Sequence, residues 1–394
     1  MGRPGRRSKF FETRSCAANA RSIRMNASIF IMDSWYVAAI EAELATDTIF
    51  ARTICGEPIA FFRGSAGQVI ALEDRCCHKS LPLHMGMIEG CSLRCGYHGM
   101  VFDDTGRCTE IPGQEHIPAN AVVRAYPVRS RHGCIWIWMG DPALADDNEI
   151  PDYHWLDAPG WGARTNYVHV KANYRLIVEN LLDLTHLTFV HGRTIGNAAV
   201  VKQAGVTFER GDREVKVTHI MRDVQPPPSY RASVAFDGPV DRWMIVHYAP
   251  PSFCRLYTGA VQRQGDQILR RLDWRNLNAV TPETATTTHY FWGHAQAHDP
   301  GDEAVTDFVV SQIKATFEED VVIFEAQQAA ISADPGRPTS RFSTKADAGA
   351  QHAMRVLDRL LKEQASGQPV HIKFTELQLA PQLPASDVDI AIDI

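Results

Sequence analysis

The chain has 394 residues, 45% of them hydrophobic and 22% charged, with a formal net charge of -6. That length predicts two or three domains and a core large enough to enclose a substrate; the negative charge argues against a nucleic-acid partner, and no apolar run reaches the roughly 18 residues of a membrane span. Nine cysteines, an odd number scattered through a chain too large to need staples, suit the reducing cytoplasm rather than a disulfide framework.

The first 24 residues oppose seven Arg and Lys to Glu12 alone, a net of +6 that leaves -12 on the rest. They lack the apolar core of a secretory signal. Residues 1–32 therefore read as a basic, disordered tail, an organellar leader, or a start placed ahead of a true one at Met25 or Met32. From 33 to 150, short runs such as "IAFFRG", "QVIALED", "MVFDDTGRC" and "CIWIWMGD" are separated by turns, which predicts a small all-β domain. In the last of these, Ile135 and Ile137 alternate with Trp136 and Trp138. The Pro-, Asp- and Gly-rich stretch from Asp141 to Gly162 reads as a linker. Residues 151–394 form the second unit: a helix over "YRLIVENLLDLTHLTFVH" with Gly192 as its stop, strands from 206 to 298 broken at "VQPPPS", and a helix over 302–332. The whole is an α+β chain.

Two short loops carry the first constellation. Cys76-x-His78 is followed, after sixteen residues, by Cys95-x2-His98, so each loop offers one thiolate and one imidazole. Structural zinc sites usually pair Cys with Cys and His with His, at spacings this pattern does not follow. A 2Fe-2S cluster with two cysteines on one iron and two histidines on the other uses mixed loops, and neutral histidine ligands raise its potential to roughly -150 to +300 mV. Gly96 and Gly99 would admit backbone N–H groups to the sulfurs, and Tyr97 offers a hydroxyl hydrogen bond. At these residues the chain resembles a Rieske domain, with Cys77 where that family usually has proline. The remaining cysteines read as packing residues.

The second constellation lies in "ENLLDLTHLTFVH". On a helix Glu179, Asp183 and His186 share a face, whereas His191, five residues past His186, is turned about 140° away. Both histidines can reach one metal only if the helix distorts or ends. Two histidines and a carboxylate make the facial triad of non-haem iron(II) oxygenases. In "DFVVSQIKATFEEDVVIFEAQQ" the apolar stripe Phe308, Val309, Ile313, Phe317 and Phe324 includes Asp320, while Glu318 and Glu319 point elsewhere. A buried carboxylate needs a partner, either a metal or a polar neighbour such as a salt bridge.

From Ile29 to Leu361 these motifs, with "DRWMIVHYAPPS" and "TPETATTTHYFWG", resemble the oxygenase subunits of Rieske non-haem iron oxygenases, most closely the branch of vanillate O-demethylase and dicamba monooxygenase. The resemblance implies a helix-grip (START or Bet v1-like) catalytic domain with an antiparallel sheet. It makes Cys76, His78, Cys95 and His98 the cluster ligands and His186, His191 and Asp320 the ligands of a mononuclear Fe(II). Asp183 matches the acidic residue linking that iron to a neighbouring subunit's cluster; its other reading is an orienter of His186. The resemblance further implies a homotrimer and a separate flavin/iron-sulfur reductase drawing on NAD(P)H. With O2 it implies O-demethylation of a methoxylated aromatic acid such as vanillate, or ring or methyl hydroxylation of another aromatic. Met244 and Asn278 fall near positions that meet substrate in this branch, and Asn278, His247 and His289 are possible pocket donors that equally could face solvent. A Rieske electron carrier would leave the histidine pair and Asp320 idle.

Overall fold

The computed structural model describes residues 29–192, 195–196, 200, 205–368 and 370. The basic stretch 1–28 and the chain end from 371 lie outside the described residues. Residues 30–32, read as part of the tail, are instead packed. Phe30, Ile31 and Met32 are buried, and Gln364 ties them down: its Nε2 donates to the Phe30 carbonyl at 2.9 Å and its Oε1 accepts from the Met32 amide at 2.7 Å.

The N-terminal part contains ten strands: β1 (Ser34–Ile40), β2 (Phe50–Ile54), β3 (Glu57–Arg63), β4 (Val69–Glu73), β5 (Met87–Glu89), β6 (Ser92–Arg94), β7 (Val101–Phe102), β8 (Cys108–Glu110), β9 (Val128–Arg131) and β10 (Cys134–Met139). They form three small antiparallel sheets, β1-β10-β9, β2-β3-β4 and β5-β6-β7-β8. The alternation of β10 separates two faces, but neither meets water. Ile135, Ile137 and Met139 join the core shared with the C-terminal helices, and Trp136 and Trp138 join a second apolar cluster.

The expected linker is not a free tether. It is built from short 3-10 turns and buries Tyr153 and Trp155. Beyond it come β11 (Gly162–Val170), α1 (Tyr174–Leu182), β12 (Gly205–Arg210), β13 (Val215–Val224), α2 (Pro228–Ser233), β14 (Val240–Ala249), β15 (Phe253–Gln264), β16 (Gln267–Pro282), β17 (Thr288–Gln296), α3 (Glu303–Ala333) and α4 (Ala348–Ala365). The strands make one seven-stranded sheet, ordered β11-β17-β16-β15-β14-β13-β12, and every neighbouring pair is antiparallel. The helix α4 was not anticipated, although Ala350, Ala353, Val356, Leu357 and Leu360 recur at helical spacing and are all buried.

Asp302 caps the long helix α3, its Oδ1 accepting from the amides of Ala304 and Val305 at 2.8 and 3.1 Å. The buried stripe of α3 runs through Val309, Ile313, Thr316, Asp320 and Phe324. Phe308, assigned to that stripe from spacing, is 42% exposed instead. Val309 and Val310 take the inward positions. Among the described residues no helix is long and apolar enough to cross a membrane.

Candidate metal centres and substrate cavity

The two loops of the first constellation are built alike. The Cys76 amide donates to the Leu81 carbonyl at 2.9 Å and the Cys76 carbonyl accepts from Ser80 at 2.9 Å; the Cys95 amide donates to Met100 at 2.8 Å and its carbonyl accepts from Gly99 at 3.1 Å. Ser80 and Gly99 occupy the same place in the two loops, with φ of 60° and 72°, which is the left-handed turn that glycine adopts freely. The second loop packs closely against the turn that follows the first: a Cβ on Gly96 would lie 2.6 Å from the Met85 carbonyl oxygen.

Cys76 and Cys95 are buried, whereas His78 and His98 are exposed with ring centroids 4.6 Å apart. The amide of His78 points at the Cys76 sulfur, and those of Tyr97 and His98 at the Cys95 sulfur. Such donors stabilise negative charge on thiolate ligands, so the arrangement fits a cluster with a buried thiolate side and a solvent-facing histidine edge. Tyr97 is 63% exposed, and its ring lies against His98 at 3.8 Å between centroids.

The mononuclear site depends on a break in the helix, which comes earlier than Gly192. Helix α1 stops at Leu182, and Asp183 (φ -117°, ψ 95°) both ends it and caps a 3-10 turn over Leu184–Thr188. The Asp183 Oδ1 accepts from the Thr185 amide at 2.9 Å and from its hydroxyl at 2.6 Å. The tighter winding and the turn that follows swing His191 back beside His186. Gly196 is required there, since a Cβ would come within 1.9 Å of the Leu187 carbonyl oxygen.

His186, His191 and Asp320 each direct one ligand atom to a common point, all within 4.8 Å of one another. His191 Nε2 lies 3.1 Å and His186 Nε2 3.9 Å from Asp320 Oδ1. The other nitrogen of each ring is held from outside: His186 Nδ1 donates to the Asp183 carbonyl at 2.5 Å, and His191 Nδ1 meets Glu319 Oε2 at 2.7 Å. Those bonds select the tautomer that leaves Nε2 for a metal. Glu319, which spacing had turned away from the site, is therefore part of its support. Burial lowers the His186 pKa, favouring the neutral ring. Burial also acts to lower that of His191, but the carboxylates of Asp320 and Glu319 outweigh it and the net shift is upward. Two imidazoles and one carboxylate, with their outer nitrogens occupied, form a donor set that fits a mononuclear Fe(II).

These side chains border a compact, largely apolar cavity of about 60 Å³ between α1, the sheet and α3. Met244 lines it, as do Arg242, Tyr230, Trp274 and Asn276, none of which except Met244 was singled out from sequence. Asn278, His247 and His289 lie outside. On β14 and β17 the two-residue period turns 247 and 289 away from the cavity face. His247 pairs with Glu214 at 2.6 Å, both buried, and His289 bridges Tyr167 and the Thr53 carbonyl at 2.9 Å each. Asn278 is on the inward face but further along, bonded to the Cys254 carbonyl and to the Tyr290 hydroxyl. A second, more polar hollow lies on the other side of His186 and Asn180, lined by Glu179, Asp183 and Asp347.

Residues 34–127 match the Rieske 2Fe-2S domain family, and residues 170–363 match the vanillate O-demethylase oxygenase C-terminal domain family. The iron-sulfur subunit of a Comamonas testosteroni toluene-4-sulfonate monooxygenase system is 40% identical over 86% of this chain and 99% of its own. The chain belongs to the Rieske oxygenase family. A vanillate O-demethylase oxygenase subunit from a Pseudomonas species is 36% identical over 80% of the chain and 97% of its own. The crystal structure of dicamba monooxygenase bound to dicamba superposes with a TM-score of 0.77 at 32% identity, covering 86% of this chain and 99% of that one. This Rieske oxygenase is thus a terminal monooxygenase component that carries a 2Fe-2S cluster.

Its buried histidines give a pH prediction. Burial pushes His294 down to about 3 and His219 and His289 to about 4, whereas each titrates near 6.5 when unfolded. Their contribution to stability is complete above about pH 6.5 and is lost as pH falls toward the folded values, because the unfolded chain takes up protons that the folded chain refuses. Denaturant unfolding should show stability falling between pH 6.5 and 5, by up to about 1.4 kcal/mol per pH unit for each histidine. A flat profile there would contradict the neutral, buried assignment.

Proposed function

We propose that this oxygenase removes the methyl group of a methoxylated aromatic acid such as vanillate. The reaction is ArOCH3 + O2 + NAD(P)H + H+ giving ArOH, formaldehyde, water and NAD(P)+, with the electrons delivered by a separate reductase in the cytoplasm. One observation carries the reading: the three candidate ligand atoms converge at the edge of a largely apolar cavity.

Bound at His186, His191 and Asp320, iron supplies the activation of O2. The protein's own share is positional. Asp183 and Glu319 hold the imidazoles, and Leu184, Leu187 and Phe317 present the apolar surface that confines the ring and excludes water from the reacting carbon. The electron route proposed is a head-to-tail homotrimer in which Asp183 of one subunit meets the cluster loops of the next. The solvent-facing His78 and His98 and the open hollow beside Asp183 support it, since both ends of such a relay are reachable on a single chain.

The toluene-4-sulfonate relative supports a second reading, hydroxylation of an aromatic methyl group, which would use the same site on a C–H bond one oxygen closer to the ring. The two separate by product. With purified oxygenase, a compatible reductase and vanillate, formaldehyde should appear at close to one per NADH consumed. A hydroxymethyl product from 4-methylbenzoate, with no formaldehyde from any methoxylated acid, would replace demethylation with hydroxylation.

A further inference from the structure

Strand β14 places a full positive charge in the interior, where ionic groups are costly unless paired. Arg242 is 2% exposed. Its Nη2 donates to the Ile195 carbonyl at 3.1 Å and to the Met244 sulfur at 3.3 Å, while Nε and Nη1 have no partner among the described residues. No carboxylate of the described residues forms an ion pair with it, although Asp and Glu side chains partner most other buried or half-buried arginines, Arg52, Arg124 and Arg275 among them.

The surroundings of Arg242 are donors as well. Its Cζ lies 4.8 Å from the centre of the Tyr230 ring, and Tyr230 packs edge-on against Trp274 at 4.9 Å. Trp274 is 1% exposed, and its indole N–H also has no partner among the described residues. Asn276, two residues along the same strand, accepts from His294 Nδ1 at 2.5 Å through its Oδ1, so the amide NH2 is left for the cavity. Tyr230 spends its hydroxyl on Thr258. Arg242, Tyr230, Trp274 and Asn276 all line the cavity that the candidate metal ligands border, and among the described residues the only carboxylate in that lining is Asp320.

We propose that Arg242 and Trp274 form the receptor for the substrate's anionic group, a carboxylate or sulfonate on the aromatic ring. The proposal rests on reading this cavity as the substrate site, and it assigns the charged end of the substrate to one place within it. Nε and Nη1 keep N–H groups that can each give an oxyanion a charge-assisted hydrogen bond. A neutral ring would leave those donors buried and unsatisfied, so the pocket selects against it.

The test is equilibrium binding to the holoenzyme by calorimetry, using 4-methoxybenzoate, 4-methoxybenzenesulfonate and neutral 4-methoxybenzamide. Arg242→Gln should weaken at least one of the two anions by about 30-fold or more and shift the amide by less than about threefold. Arg242→Lys should restore part of the loss, because it keeps the positive charge but not the guanidinium's spread of donors. Trp274→Phe keeps the ring but removes the N–H, and should cost about tenfold on the same anion; it also serves if the arginine variants do not fold. Undiminished binding of both anions in a folded, iron-replete Arg242→Gln protein, or tighter binding of the amide than of either anion by the wild type, would overturn the receptor. Formaldehyde release is scored separately. Arg242-dependent binding without formaldehyde leaves the receptor standing and removes O-demethylation, whereas equal formaldehyde yields and equal affinities in wild type and Arg242→Gln do the reverse.

Discussion

Replacing Asp320 by Ala is expected to abolish oxygenation while leaving the colour of the Rieske cluster intact. Asp320 sits on the buried stripe of α3 with its Oδ1 within 4 Å of the Nε2 atoms of both histidines. It is the only anionic member of the ligand set, so its loss removes both a bond and the charge that favours a dication. Outer-shell partners of metal ligands typically cost about 10- to 100-fold when removed, and a ligand itself should exceed that. The measurement pairs product formation with iron content: turnover should fall more than about 100-fold and iron by one atom in three, with the visible spectrum unchanged. Retention of all iron together with full activity would mean that the carboxylate serves only as a salt-bridge partner for His191.

Asp183→Asn separates two roles that coincide at one residue. The backbone carbonyl, not the side chain, orients His186, so the substitution leaves that support in place. Asn also keeps an oxygen to cap the turn at Thr185. Iron content and reduction of the cluster by the reductase should therefore stay at wild-type levels. If the carboxylate links the iron to a neighbouring cluster, turnover should nevertheless fall about 10- to 100-fold. Single-turnover experiments on pre-reduced protein would locate the loss in electron arrival. Asp183→Ala should add a stability cost of about 1 kcal/mol from the lost cap. Wild-type turnover in the Asn variant would reduce Asp183 to a capping residue.

The residues proposed as metal ligands stand out because their types and spacing are local. Cys76, His78, Cys95 and His98 advertise themselves by type and spacing, and two loops with the same internal hydrogen bonds bring them together. His186 and His191 were visible as a pair but not as neighbours, since a regular helix separates them; the break at Asp183 is a capping event that a five-residue window does not reveal. Glu319 was missed because the helical period turns it off the Asp320 stripe, yet its side chain is long enough to reach His191 from there. The polar lining of the cavity was least legible. Arg242, Trp274 and Asn276 come from two strands, β14 and β16, that are not adjacent in the sheet, so no single stretch contains them. His247 and His289 were attractive by type alone, and strand parity sends both to the opposite face.

The two parts of the chain are fused rather than hinged. The Cys55 amide donates to the Pro282 carbonyl at 2.8 Å, the Thr281 hydroxyl to the Val37 carbonyl at 2.7 Å, and His289 bonds the Thr53 carbonyl, while β1 and β10 share one continuous core with α1 and α3. A shuttle that swings its redox head from donor to acceptor needs a slack joint, and this one is welded. Within one polypeptide the separation of the two proposed metal centres is consequently a constant, and under the proposed head-to-tail relay the rate at which electrons reach the oxygen-activating site is set when subunits assemble, not each time substrate arrives. Under that relay, dilution that dissociates the assembly should silence turnover while leaving the cluster's colour and the iron content unchanged.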